Sequence, residues 1–110
     1  MSYFIYAGAT IQEAERGEPI LVLEEEEHDH VFSYSAPYKE KYPTLFRFRD
    51  YYEDVIVPAA DLPQVLAELD DLLANHGDGD EVITRFGETF RPALARAIDR
   101  GQTLFSLKDY

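Results

Sequence analysis

Apolar and polar positions follow two different periods along the chain. In the first half the apolar runs are short, aromatic or β-branched, and separated by turn-forming residues, as strands are. "SYFIYAG" (2–8) ends at Gly8 and predicts a first strand. "PILVLE" (19–24) is a continuous apolar run too short for a helix and predicts a buried strand. "HVFSYS" (30–35) sets Phe32 and Tyr34 against Val31, Ser33 and Ser35, and "TLFRFRD" (44–50) sets Phe46 and Phe48 against Arg47 and Arg49. That alternation predicts strands with one packed and one wet face. "EDVIVP" (53–58) adds a fifth strand, ended by Pro58. The polar stretch "LEEEEHDHVF" between the second and third runs then reads as a solvated hairpin tip.

The second half changes to helical spacing. In "DLPQVLAELDDLLANHG" (61–77), Leu62, Val65, Leu66, Leu69, Leu72 and Leu73 form one apolar stripe. Asp61 is expected to cap this helix with Gln64 as its capping-box partner, and Gly77 to stop it in the left-handed conformation. Asp80 is expected to cap a second run in which Val82, Ile83, Phe86, Phe90, Leu94, Ala97 and Ile98 keep the same spacing. Pro92 lies inside that run and must kink the helix or begin a new one. Gly101 ends it, and "QTLFSL" (102–107) predicts a closing strand. Strands grouped before helices indicate an α+β fold: an antiparallel sheet of five to six strands, with two helices from the C-terminal half on one face. At 110 residues, one domain spanning 1–110 is expected.

Charge changes the picture most. The formal net charge is −12. Residues 11–29 hold eight acids and one base, and residues 50–81 hold ten acids and no base. Such a field repels nucleic acid and anionic membranes and draws basic partners. No apolar run reaches the roughly 20 residues that span a bilayer, and "MSYFIYAGAT" lacks the basic start of a signal peptide. With no cysteine, disulfides and thiolate chemistry are excluded, and a cytoplasmic location is expected.

Candidate chemistry is sparse. His28 and His30, two apart on a strand, would share a face and offer two metal ligands, with a third from a glutamate or His76. A cupin-type site would need a glutamate where Tyr34 stands and a glycine where Val22 stands. A calcium loop begun at Asp78 loses its ligands at Val82 and Thr89. No serine lies in a nucleophile elbow, and no phosphate-binding glycine loop occurs. A non-catalytic role without a cofactor follows as the expectation, with a metal-binding protein or metal-dependent enzyme centred on His28 and His30, or a small regulatory domain, as alternatives.

Tyrosine strengthens the binding reading. Tyr38, Tyr42, Tyr51 and Tyr52 stand beside charges in expected loops. Tyrosine with carboxylates suits Arg and Lys, through ring stacking, cation–π contact and ion pairs. The expected surface for a basic protein partner comprises Glu24, Glu25, Glu26, Glu27, Asp29, Tyr51, Tyr52, Glu53 and Asp54, provided two hairpin tips lie at one end of the sheet.

The strand, proline and acid-capped helix of "EDVIVPAADLPQVLAELDDLLA" (53–74), together with the acidic excess, resemble the small acidic immunity proteins of bacterial polymorphic and contact-dependent toxin systems. The resemblance implies a protein that binds a toxin, often a basic nuclease, and occludes its active site. It assigns no individual residue.

Overall fold

The computed structural model describes residues 2–33 and 35–107. In chain order they form β1 (Ser2–Gly8), α1 (Ile11–Arg16), β2 (Leu21–Glu24) and α2 (Glu25–Val31), then a 3-10 helix (Leu45–Arg49) and β3 (Val55–Val57). A second 3-10 turn (Ala59–Asp61), α3 (Leu62–His76), α4 (Glu81–Asp99) and β4 (Thr103–Ser106) complete the order.

The fold is α+β with one antiparallel sheet, but the sheet has four strands, in the order β2-β1-β4-β3. The closing strand is not an edge: β4 pairs with both β1 and β3. Register separates the two faces. Tyr3 and Ile5 pair with Leu23 and Leu21, and Leu104 sits between Ala7 and Val57. These side chains meet Val65, Leu69 and Leu72 of α3 and Phe86, Phe90 and Leu94 of α4 in one core. The opposite face keeps Val22 and Ile56 exposed.

Two stretches are helical where a hairpin tip running into the strand "HVFSYS" and the strand "TLFRFRD" were expected; His30 and Val31 of "HVFSYS" belong to α2. "LEEEEHDHVF" is not a hairpin tip; it ends β2 and forms α2. The Glu24 and Glu27 side chains make a reciprocal capping box, and Glu25, Glu26 and Glu27 fill the first turn. Carboxylates there offset the unpaired N–H groups and the positive end of the helix dipole. The helix then buries His28 and Val31. Tyr34, which the alternation grouped with Phe32, lies outside the described residues.

The second is "TLFRFRD". Phe46 and Phe48 are buried and Arg47 and Arg49 exposed, but Leu45, which a strand would place with the arginines, is buried as well, as a 3-10 helix allows. Its first N–H groups are taken by a side chain instead of a neighbouring strand. The buried Glu68 carboxylate accepts from Thr44 N–H at 2.9 Å and Leu45 N–H at 3.1 Å through Oε1, and from Gln64 Nε2 at 2.9 Å through Oε2.

Both expected long helices are present, with corrected ends. Asp61 is already in helical backbone, caps nothing, and accepts from Arg47 Nη1 at 2.8 Å. Gln64 serves Glu68 instead of a capping box. Gly77 is right-handed (φ −79°); a Cβ there would lie 2.6 Å from the Leu73 carbonyl oxygen, so close approach, not handedness, selects glycine. Asp80 caps α4 as expected, accepting from Ile83 N–H at 3.1 Å. One helix passes through Pro92, and Gly101 (φ 62°) supplies the left-handed exit. No helix among the described residues is long and apolar enough to cross a membrane.

Candidate protein-binding groove

The site is set by α2. Residues two apart on a helix diverge by about 200°, so His28 and His30 point to opposite sides, not to one face. His28 is buried among the rings of Tyr3, Phe32 and Tyr51, at centroid distances of 4.4, 5.0 and 5.1 Å. Its Nε2 lies 2.7 Å from the Phe48 carbonyl oxygen. A carbonyl only accepts, so Nε2 carries the proton and Nδ1 the bare lone pair. Burial lowers the His28 pKa, against the raising effects of the Phe48 carbonyl, Asp29 and Asp50.

His30 is exposed and its Nε2 bonds Asp80 Oδ2 at 2.7 Å. Burial raises the Asp80 pKa, but the His30 bond and the Ile83 N–H outweigh it and hold the carboxyl below its ordinary value. The two imidazoles therefore serve different structures. Among the described residues no group of three His, Cys, Asp or Glu side chains could hold a metal ion.

With His28 turned inward, Glu26, Asp29, His30 and Ser33 follow at helical spacing along the outer side. Two adjoining cavities border this stripe and share Asp29, Ser33 and Ser35. The larger, about 730 Å³, is further lined by Glu26, His30, Tyr38, His76 and Asp80. Tyr38 is fixed in its wall, its hydroxyl donating to the Val31 carbonyl at 2.9 Å and its ring 4.8 Å from that of His76. The smaller, about 400 Å³, is further lined by His28, Phe32, Arg49, Asp50, Tyr51 and Tyr52. Together they make a groove bearing four carboxylates and three tyrosines. Three of its basic lining groups have internal partners: His30 bonds Asp80, Arg49 the Phe46 carbonyl and His28 Nε2 the Phe48 carbonyl, while His76 stacks beside Tyr38.

No family model, curated protein or solved structure matches the chain. The geometry therefore carries the functional argument alone.

The expected surface residues divide into four groups. Asp29, Tyr51 and Tyr52 line the groove, and Glu26 lines its larger lobe. Glu24 and Glu25 stand near Tyr51, whose pKa burial raises first, followed by the fields of Glu25, Tyr52, Glu24 and Asp29. Glu24 also accepts from the Ser2 hydroxyl at 3.2 Å. Glu27 is spent internally, accepting the Glu24 N–H at 3.1 Å and pairing with Arg85 at 3.4 Å. Glu53 and Asp54 are exposed on the segment before β3, outside both cavities.

Convergence of the acids and tyrosines thus arises from a helix N-terminus meeting the 51–53 turn, not from two hairpin tips. Asp50, Ser33, Ser35 and the second role of Asp80 were not expected here, and Tyr38 was expected only as one of several tyrosines beside charges. The Glu24–Glu27 capping box was the available signal, because it starts a helix whose outer stripe leads to Asp29 and Ser33.

Proposed function

We propose that this protein is a non-catalytic binding protein whose acidic, tyrosine-lined groove along α2 docks a basic protein. The observation that carries the reading is the lining itself. Glu26, Asp29, Asp50 and Asp80 lie along one groove with Tyr38, Tyr51 and Tyr52, while His30 there is bonded to Asp80 and Arg49 to the Phe46 carbonyl. Docking proceeds by long-range attraction, followed by carboxylate and ring contacts to Lys and Arg. The acidic excess supplies the attraction, and the half-buried Tyr51 and exposed Tyr52 rings supply contact area at low entropy cost. Action in the cytoplasm as a toxin-neutralising immunity protein is the biological form of this reading that the resemblance of residues 53–74 supports.

The test is capture at low salt by tagged wild-type protein and by a Glu26→Gln, Asp29→Asn, Asp50→Asn variant. Wild type is expected to retain a protein of basic isoelectric point that the variant loses. Retention of the same protein by the variant would contradict the proposal. Activity of the captured protein as a toxin, suppressed by wild type, would supply the immunity role.

A further inference from the structure

Tyr3 Oη, His28 Nδ1 and Tyr51 Oη are buried without a well-formed hydrogen bond among the described residues, Tyr3 Oη having only the Ser106 side chain beside it. They are not scattered. The three rings are mutual neighbours, with centroids 4.4 Å apart for Tyr3 and His28, 5.1 Å for His28 and Tyr51, and 5.7 Å for Tyr3 and Tyr51. Buried polar groups are almost always paired, so a cluster of orphans calls for a partner from outside the chain. His28 and Tyr51 both line the smaller cavity, whereas Tyr3 lies deeper, beside Ser106.

We propose that the smaller cavity seats one cationic side chain of the basic partner, an ammonium or guanidinium whose N–H groups donate to His28 Nδ1 and Tyr51 Oη. The proposal rests on the acidic-groove reading and specifies its anchor.

Four features select a cation with N–H donors. The Phe48 carbonyl fixes the His28 proton on Nε2, so Nδ1 can only accept and calls for a donor. Asp29 and Asp50 line the same cavity, while its single fixed cation, Arg49, is turned to the Phe46 carbonyl at 3.1 Å. Phe32, Tyr51 and Tyr52 make the lining aromatic, which suits a charged head group. The volume, about 400 Å³, holds one long side chain. His28 Nδ1 and Tyr51 Oη lie beneath the surface, so entry requires the Tyr51 ring to turn aside. It is carried on the 51–53 turn, where Tyr52 and Glu53 are exposed. Tyr51 is thus both cover and contact.

The test uses free amides as probes. Uniformly ¹⁵N-labelled protein is titrated with N-acetyl-arginine amide, with N-acetyl-lysine amide, and with neutral N-acetyl-citrulline amide, following imidazole nitrogens by long-range ¹H–¹⁵N correlation. The His28 Nδ1 resonance is expected to move saturably with one or both cations and not with citrulline. The responding probe identifies the head group. His76, in the other lobe, is expected to stay in place.

Asp50→Asn should weaken binding roughly tenfold, the size of one charge-assisted contact. Tyr51→Phe removes an unpaired hydroxyl, so it should fold normally while also binding more weakly. A stationary Nδ1, an equal response to citrulline, or unchanged affinity in both variants would overturn the proposal. If the seat test fails while wild type captures a basic protein that the Glu26, Asp29, Asp50 variant loses, only the seat is lost; if capture does not depend on those carboxylates either, the groove reading falls with it.

Discussion

His28 illustrates how a single buried side chain couples pH to stability. In the unfolded chain its imidazole has the ordinary value of 6.5, and burial lowers it in the fold. Between the two values the unfolded state binds the extra proton. The stabilisation is therefore complete above about 6.5 and is lost as pH falls toward the folded value. Proton NMR of the His28 ring should give a midpoint below 6.5, and urea unfolding should show ΔG declining from neutral pH to about pH 5. A midpoint at or above the ordinary value would contradict the buried neutral tautomer.

Glu68 is the second decisive residue, because its buried carboxylate accepts three hydrogen bonds from two segments. Glu68→Ala should cost about 2–4 kcal/mol in urea unfolding, and Glu68→Gln less, since the amide keeps one acceptor oxygen. A loss under about 0.5 kcal/mol for the alanine variant would mean the 3-10 helix does not depend on it.

Elements were legible where pattern length resolved the period. The repeats of α3 and α4 run over 15 and 19 residues, and only a helix fits them. β1, β2, β3 and β4 were marked by apolar runs between breakers. The 3-10 helix was not legible, because its short alternation fits a strand equally and Glu68, 23 residues beyond Leu45, decides the outcome. α2 was hidden by weighting Phe32 and Tyr34 over the Glu24–Glu27 box. Since half of the groove hangs on α2, the site was legible as a composition, acids with tyrosines, but not as a place.

The pairing of α3 with α4 offers its own check. A Cβ on Gly87 would fall 2.2 Å from Leu73 Cδ2, so the two helices meet where Leu73 overlies a glycine. Gly87→Ala should destabilise by about 1 kcal/mol despite better helix propensity. Adding Leu73→Ala should cost less than the sum of the single changes, because it removes the clash. Strict additivity would argue against this contact.

At the scale of the whole molecule, a net charge of −12 is too diffuse to specify a partner, and the fold gives it direction. Glu26 and Asp29 on α2, Asp50 before the 51–53 turn and Asp80 at the start of α4 come from separate parts of the chain to one groove, while Glu27 is withdrawn into an ion pair with Arg85. Charge at the groove should therefore matter more than charge elsewhere. Glu13→Gln with Glu15→Gln on exposed α1 removes two acids far from the groove lining and serves as the matched control.

The most direct test is the association rate of the captured basic partner, measured by stopped flow over a range of salt concentrations. Wild type should associate fast, with a rate that falls steeply as salt rises. Glu26→Gln with Asp29→Asn should slow it by about tenfold at low salt and flatten the salt dependence, while the α1 control stays near wild type. Equal rates and equal salt slopes for the groove variant and the control would contradict the groove as the docking surface.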